Sequence, residues 1–235
     1  MKIALMGYGK MGREIERIAM AKNHEIVLKI NGSNAASISL EQIQMADVVI
    51  EFSTPHTVMA NISKCFDAGV PVVVGTTGWY DYLAAVETAC KEKNAALFYA
   101  SNFSVGVNLF FKLNKYLADL MNKYGDYDVC MEEIHHIHKL DKPSGTAITL
   151  ANQIIEKLER KTNWSISDHK ADTLFIQDVR EGEVPGTHII KYQSNIDDIE
   201  IMHKAHNRKG FAGGAVLAAE FLAGKKGIYS MSDII

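Results

Sequence analysis

Residues 2–12 read Lys2-Ile3-Ala4-Leu5-Met6-Gly7-Tyr8-Gly9-Lys10-Met11-Gly12, an apolar run that ends in a Gly-x-Gly-x-x-Gly loop. The run has the length of a short buried strand. Beyond the loop, Lys10–Ala21 carries apolar residues at helical spacing through Met11, Ile15, Ile18 and Ala19. A glycine loop between a strand and a helix is the context that a dinucleotide-binding turn requires. Gly7 would make the tight turn, Gly9 would let backbone approach a pyrophosphate, and Gly12 would let helix and strand pack closely. The anion would sit at the helix N-terminus, where unpaired N–H groups and the dipole attract negative charge. The competing reading is a glycine turn with a purely structural duty. The strand-to-helix context favours the dinucleotide.

The same alternation continues outward from this loop. Glu25–Ile30, Asp47–Phe52, Pro71–Val74 and Ala95–Ala100 are further apolar strands, with helical spacing over His56–Ala68 and Tyr80–Lys93 between them. Strands alternating with helices predict a parallel sheet covered on both faces, a Rossmann-type doubly wound α/β fold. From Ser104 the pattern changes. Leu109, Phe110, Leu113, Tyr116, Leu117, Leu120 and Met121 mark an amphipathic helix ended by Gly125. A strand over Tyr127–His135, a helix over Ser144–Arg160, and strands over Phe175–Arg180, His188–Ser194 and Ile199–His206 follow. They predict a second, α+β domain on a mostly antiparallel sheet. Gly210–Ala223 reads as a small-residue helix returning to the first domain. The expected division is therefore 1–106 completed by 208–235 as the dinucleotide-binding domain, with 107–207 as a substrate-binding and oligomerisation domain.

The fingerprint lacks one part. The acidic residue that would hold the adenine ribose is expected about 20 positions on, where the chain reads Leu28-Lys29-Ile30-Asn31. Lys29 could instead pair with a 2′-phosphate, or be a solvated strand-end lysine. Later strand ends carry Phe52-Ser53-Thr54-Pro55, Gly75-Thr76-Thr77-Gly78 and Ala100-Ser101-Asn102-Phe103. Ligands of open parallel sheets lie outside the carboxyl ends of the strands. Ordinary turn chemistry also favours these residue types, but three such segments in one sheet suit a nicotinamide ribose and ring.

Residues 132–147 hold the second signal: Glu-Glu-Ile-His-His-Ile-His-Lys-Leu-Asp-Lys-Pro-Ser-Gly-Thr-Ala. His135, His136, His138 and Lys139 stand directly before a helix start at Ser144-Gly145-Thr146. Gly145 and Thr146 would offer N–H groups to a carboxylate, Lys139 a charge and His136 a hydrogen bond. A histidine titrating near neutrality is a suitable proton donor. A metal bound by His135, His136 and His138 is the weakest alternative, because adjacent histidines do not converge readily on one ion. A surface loop of histidines is the bland one. A small dicarboxylate substrate fits best, and no metal is expected.

Composition sets the outer limits. The chain has 235 residues, 47% of them hydrophobic and 23% charged, and a formal net charge of −3. That leaves no footprint for nucleic acid or an anionic membrane. Cys65, Cys90 and Cys130 are too few and too scattered for a disulfide framework or zinc motif, so a reducing, cytoplasmic setting is expected. No apolar run reaches the length of a membrane span, and no signal peptide is recognised.

The residues quoted also carry a resemblance. Glu133-x-His135-His136-x-His138-Lys139-x-Asp141-x-Pro143-Ser144-Gly145-Thr146-Ala147 resembles the signature of the 4-hydroxy-tetrahydrodipicolinate reductase (dihydrodipicolinate reductase) family. So do Gly9-Lys10-Met11-Gly12-Arg13, Gly75-Thr76-Thr77-Gly78, Asn102 to Asn108, and His203-Lys204-Ala205 followed by Arg208 and Phe211. The likeness spans nearly the whole chain. It implies an oxidoreductase of diaminopimelate and lysine biosynthesis that uses NADPH or NADH. It implies His135 as proton donor or acceptor and Lys139 as a second proton donor, with His136, Ser144, Gly145 and Thr146 on the substrate carboxylates. Gly7, Tyr8, Gly9, Lys10, Met11, Gly12, Phe52, Ser53, Gly75, Thr76, Thr77, Ala100, Ser101, Asn102, Phe103 and Arg208 would hold the cofactor. Family members are usually homotetramers. The stretch around Lys29 departs from the acidic or Glu-Arg type sequences frequent there, so the choice between NADH and NADPH stays open.

Overall fold

The computed structural model describes residues 1–207 and 209–235, so the cofactor role expected of Arg208 lies outside the described residues. The chain divides into two compact units, Met1–Val105 with Lys209–Ile235, and Gly106–Arg208.

In the first unit the apolar runs become β1 (Lys2–Met6), β2 (Glu25–Ile30), β3 (Val48–Glu51), β4 (Val72–Val74) and β5 (Ala96–Tyr99). The intervening helices are α1 (Lys10–Ala21), a one-turn α2 (Leu40–Ile43), α3 (Val58–Ala68) and α4 (Leu83–Glu92). Alternate side chains of β1 enter opposite cores. Ala4 and Met6 pack with Ile62, Phe66 and Val86, while Ile3 and Leu5 pack with Ile15, Ala215 and Ala219. Burial on both faces is what a parallel, doubly wound sheet demands.

The second unit opens with α5 (Val105–Met121), β6 (Asp128–His135) and α6 (Gly145–Lys157), followed by β7 (Asn163–Ser165), β8 (Thr173–Arg180), β9 (Thr187–Gln193) and β10 (Asp198–Lys204). The five strands run in the order β10-β9-β6-β8-β7. β9 pairs antiparallel with both β6 and β10, whereas β6 and β7 pair parallel with β8. The parallel pairing of β6 with β8 follows from α6, a helical crossover that returns the chain in its original direction. Phe110, Ala118 and Met121 of α5, with Leu150, Ala151 and Ile154 of α6, cover one face over Val129, Met131, Ile176 and Ile190.

The chain then returns to the first unit as α7 (Lys209–Leu222) and β11 (Gly227–Tyr229). α7 is buried through Ala212, Gly214, Ala215, Ala218 and Ala219. A Cβ at Gly214 would lie 1.7 Å from the Phe103 carbonyl oxygen, so only glycine permits this approach. β11 completes a six-stranded parallel sheet in the order β11-β5-β4-β3-β1-β2. β7 and β11 are three-residue strands without a sequence pattern of their own. No described helix is long and apolar enough to cross a membrane.

Candidate active site

In the first unit the strand order reverses between β1 and β3, which flank each other with β2 beyond β1. This switch point, at the carboxyl ends of the strands, is where such sheets bind ligands. Gly7 stands there with φ +94°, and a Cβ on it would lie 1.9 Å from the Phe52 oxygen. A Cβ on Gly12 would lie 2.4 Å from the Gly7 oxygen, whereas Gly9 has no atom within 4 Å of that position. Gly7 and Gly12 are therefore required by packing, and Gly9 leaves open space above the backbone. Gly9 caps α1 without a side-chain hydrogen bond, and the first turn holds no acidic residue. Lys10 and Met11 begin the helix. The resulting N–H cluster suits a pyrophosphate.

The neighbouring strand ends assemble beside it. Phe52 N–H donates to the Met6 oxygen at 2.7 Å, and Ser53 N–H to Thr76 Oγ1 at 2.8 Å. The Phe52 ring covers Gly75, where a Cβ would meet it at 2.0 Å. Phe52 and Phe103 rings are 5.7 Å apart. Trp79 Nε1 donates to the Thr76 oxygen at 2.8 Å, and Asn102 Oδ1 accepts the Ser104 N–H at 2.9 Å. Ala100 N–H bonds the Val74 oxygen, which sets the Ala100–Phe103 segment beside Gly75–Thr77. The ribose-reading position has a local partner that sequence did not reveal. Lys29 Nζ lies 2.5 Å from Glu16 Oε1, and Tyr8 Oη donates to the same carboxylate. Hydrogen bonds from Lys29 and Tyr8 hold the Glu16 carboxyl below its usual range. A second unforeseen group is Glu51, fully buried at the end of β3 and bonded to Ser53 Oγ and Asn61 Nδ2. Its only trace in the sequence is a charge closing the run Val48-Val49-Ile50.

The second unit turns polar at one end of its helix-covered sheet face. The Met131 row pairs with Ile176 and Ile190. Two residues along, Glu133 pairs with Asp178 of β8 and His188 of β9, and His188 in turn with His203 of β10. His135 follows, opposite Arg180. One register thus stacks charged and imidazole groups directly on an apolar core, at the start of α6. Burying such groups is costly unless they are paired, and the Glu133 carboxylate is paired from several sides. Ser144 N–H donates to both Glu133 oxygens at 2.9 and 3.2 Å. Arg180 reaches Glu133 Oε1 at 3.3 Å, the Asp141 carbonyl at 2.8 Å, and Asp178. Lys142 adds a contact to Asp178 at 3.3 Å, and Ser144 Oγ meets His188 Nε2 at 3.2 Å.

His135 is 7% exposed. Burial lowers its affinity for a proton, Glu133 opposes this, and Lys139 and Arg180 reinforce it. Burial pushes the His188 imidazole down to about 3. Lys139 Nζ grips both Asp141 oxygens at 2.8 Å. Burial raises the Asp141 carboxyl, but the Lys139 hydrogen bond and charge outweigh it and leave it below its ordinary value. His136 is half-buried with its ring 6.2 Å from that of His138. His138 reaches Glu183 at 3.3 Å on the surface, 70% exposed, and takes no part in the buried cluster. Ser144 caps α6 by accepting the Ala147 N–H, so Gly145 and Thr146 form the first turn and present its N–H groups. Ligand atoms of Glu133, His135 and His188 all lie within 4.8 Å of one another. They differ from the three histidines weighed as ligands from the sequence. The Arg180 guanidinium already occupies this carboxylate, which makes the group an ionic network.

Sequence reading finds His135, His136, Lys139 and the Ser144 helix start, and the structure gathers these in the second unit. It misses Arg180, Asp178 and His188. The alternation over Tyr127–His135 does place Glu133 and His135 on one face, but the pairing register that adds β8 and β9 is a long-range property.

Residues 1–103 match the family profile "Dihydrodipicolinate reductase, N-terminus", and 106–235 match "Dihydrodipicolinate reductase, C-terminus". The second match includes α7 and β11, which fold into the first unit. A 4-hydroxy-tetrahydrodipicolinate reductase of Christiangramia forsetii is 48% identical over 100% of this chain and 98% of its own. One of Methanocaldococcus jannaschii is 36% identical over 80% of this chain and 71% of its own. Among solved structures, dipicolinate-bound dihydrodipicolinate reductase from a Paenisporosarcina species superposes with a TM-score of 0.79 at 24% identity, covering 100% of this chain and 99% of that one. Aspartate semialdehyde dehydrogenase II of Vibrio cholerae shares the fold more distantly, with a TM-score of 0.55, 10% identity, and coverage of 94% of this chain and 97% of that one. The chain belongs to the dihydrodipicolinate reductase family.

Proposed function

We propose that this chain reduces 4-hydroxy-tetrahydrodipicolinate to tetrahydrodipicolinate with NADPH or NADH, in the diaminopimelate route to lysine. The observation that carries the site assignment is His135, a buried imidazole set among charged groups beside a helix N-terminus. The open space over Gly9 and the crowding at Gly7 and Gly12 fit a dinucleotide on the first unit. When bound, its reduced nicotinamide supplies a hydride. The residues of this chain do the rest. Thr76, Thr77 and the segments Phe52–Ser53 and Ala100–Phe103 flank the nicotinamide end. The first turn of α6, with His136 and Ser144, orients the substrate carboxylates, where N–H groups and the dipole favour anions. His135 gives a proton to the atom left electron-rich by hydride addition, and Lys139 serves as a second proton donor. Both cations stabilise the charge that develops there.

Homotetramer assembly and a cytoplasmic location belong to the same proposal. The assembly is supported by the sheet face opposite α5 and α6, where Met202 of β10 is exposed among the described residues. Light scattering coupled to gel filtration tests it, a monomer being the contrary result. The activity is tested by following NADPH and NADH absorbance with freshly generated substrate. Loss of absorbance with at least one cofactor is expected, and no loss with either would refute the assignment.

A further inference from the structure

Glu133 is a carboxylate with no solvent exposure, and the proton transfer described above gives it no task. Its Oε1 accepts the Ser144 N–H and an Arg180 N–H at 2.9 and 3.3 Å. Its Oε2 faces His135 Nδ1 at 3.4 Å and His188 Nε2 at 3.7 Å. His135 Nδ1 is buried and forms no full hydrogen bond among the described residues, so this carboxylate is the acceptor it faces. On the other side of the ring lies Gly186, with φ +152°. A Cβ there would sit 3.0 Å from His135 Nε2. One nitrogen therefore meets a fixed carboxylate, and the other meets space that a glycine keeps clear.

We propose that Glu133 is a positioning residue that fixes the tautomer of His135, holding a proton on Nδ1 so that Nε2 is the nitrogen that delivers its proton to substrate. This rests on His135 being the proton donor. The imidazolium enters with protons on both nitrogens, and the Nε2–H bond breaks as the new bond to the substrate atom forms. The neutral ring keeps its Nδ1–H toward Glu133 and regains a proton from solvent in the next cycle. A separation of 3.4 Å is long for a hydrogen bond, but catalytic hydrogen bonds commonly tighten once substrate is bound.

The electrostatics point the same way. The groups around His135 are Glu133 on its own strand, Lys139 and Asp141 on the following loop, Arg180 on β8 and His188 on β9, with His203 of β10 beyond His188. Burial, Lys139 and Arg180 disfavour the imidazolium, while Glu133, ahead of Asp141, favours it. Without Glu133 the protonated donor would persist only at lower pH.

The primary test uses the wild-type protein. Its histidines are labelled with nitrogen-15, and the His135 signals are identified by their loss in His135→Gln. At alkaline pH the neutral ring should carry its proton on Nδ1, and a ring protonated on Nε2 would overturn the proposal. The second test is the pH profile of kcat/KM. In Glu133→Gln the basic limb should move down by about one pH unit, Glu133→Asp should restore most of that shift, and dinucleotide affinity should be unchanged. A limb that stays in place, even with a lower kcat, would mean that Glu133 is only structural. If Glu133→Gln does not fold, the tautomer in the wild-type protein decides alone. A His135→Gln enzyme with wild-type kcat would instead refute the proton-donor assignment, and the tautomer result is independent of that outcome.

Discussion

Lys29 Nζ and Glu16 Oε1 stand 2.5 Å apart, with Tyr8 bonded to the same carboxylate. Lys29, at the ribose-reading end of β2, is thus engaged by an acidic residue of α1. A 2′-phosphate placed here would meet Lys29, but also the charge of Glu16. Glu16→Gln should therefore improve NADPH relative to NADH, by about tenfold in the ratio of KM values, a difference of roughly 1.4 kcal/mol. Steady-state kinetics with both cofactors checks this, and an unchanged ratio would place the adenine ribose away from this cluster.

The three loop glycines should separate by role. Gly7→Ala forces an L-residue to φ +94° and a Cβ to 1.9 Å from the Phe52 oxygen, and should cost roughly 3 kcal/mol of stability. Gly9→Ala meets no atom within 4 Å. It should melt with the wild type yet raise the dinucleotide KM about tenfold, roughly 1.4 kcal/mol of binding. Paired melting curves and KM values check both. Wild-type KM in Gly9→Ala would show that no ligand backbone passes over this residue.

Stability should fall on acidification because His188 is buried in its neutral form. Burial pushes it down to about 3 in the fold, against an ordinary imidazole value of 6.5. Between these values only the unfolded chain takes up the proton. Stability present above pH 6.5 is therefore lost as pH falls, by up to about 1.4 kcal/mol per pH unit from this group. The lowered His135 and His203 act in the same direction. Thermal unfolding across this range should give a shallower slope for His188→Asn than for wild type. Equal slopes would mean that His188 is protonated in the fold.

Lys139→Ala should lower kcat on the order of a hundredfold, the usual scale for losing one proton-transfer group. Dinucleotide affinity, set in the other unit, should be unchanged. Isothermal titration with NADPH beside turnover measurements makes the comparison. Retention of full kcat would leave Lys139 as no more than the partner of Asp141.

Local signals made the first unit legible. The Lys2–Met6 strand, the glycine loop and the Met11, Ile15, Ile18 and Ala19 stripe each act within a few residues, and their geometry follows from their spacing. β7 and β11 escaped because three residues carry no period, and pairing with β8 and β5 alone makes them strands. The site divides in the same way. His135, Lys139 and Ser144 lie in one short stretch and announce themselves. Arg180, His188 and Gly186 reach His135 only through the register of β8 and β9. Glu16 became a partner of Lys29 through the packing of α1 beside β2, which no linear spacing records.

The most direct test is turnover by wild type and His135→Gln, each with freshly generated 4-hydroxy-tetrahydrodipicolinate and saturating NADPH or NADH. Wild type should oxidise the cofactor only when substrate is present. His135→Gln should be slower in kcat by about 10² to 10⁴ while binding the cofactor equally well. Substrate-independent oxidation, or equal kcat in the two proteins, would contradict the account.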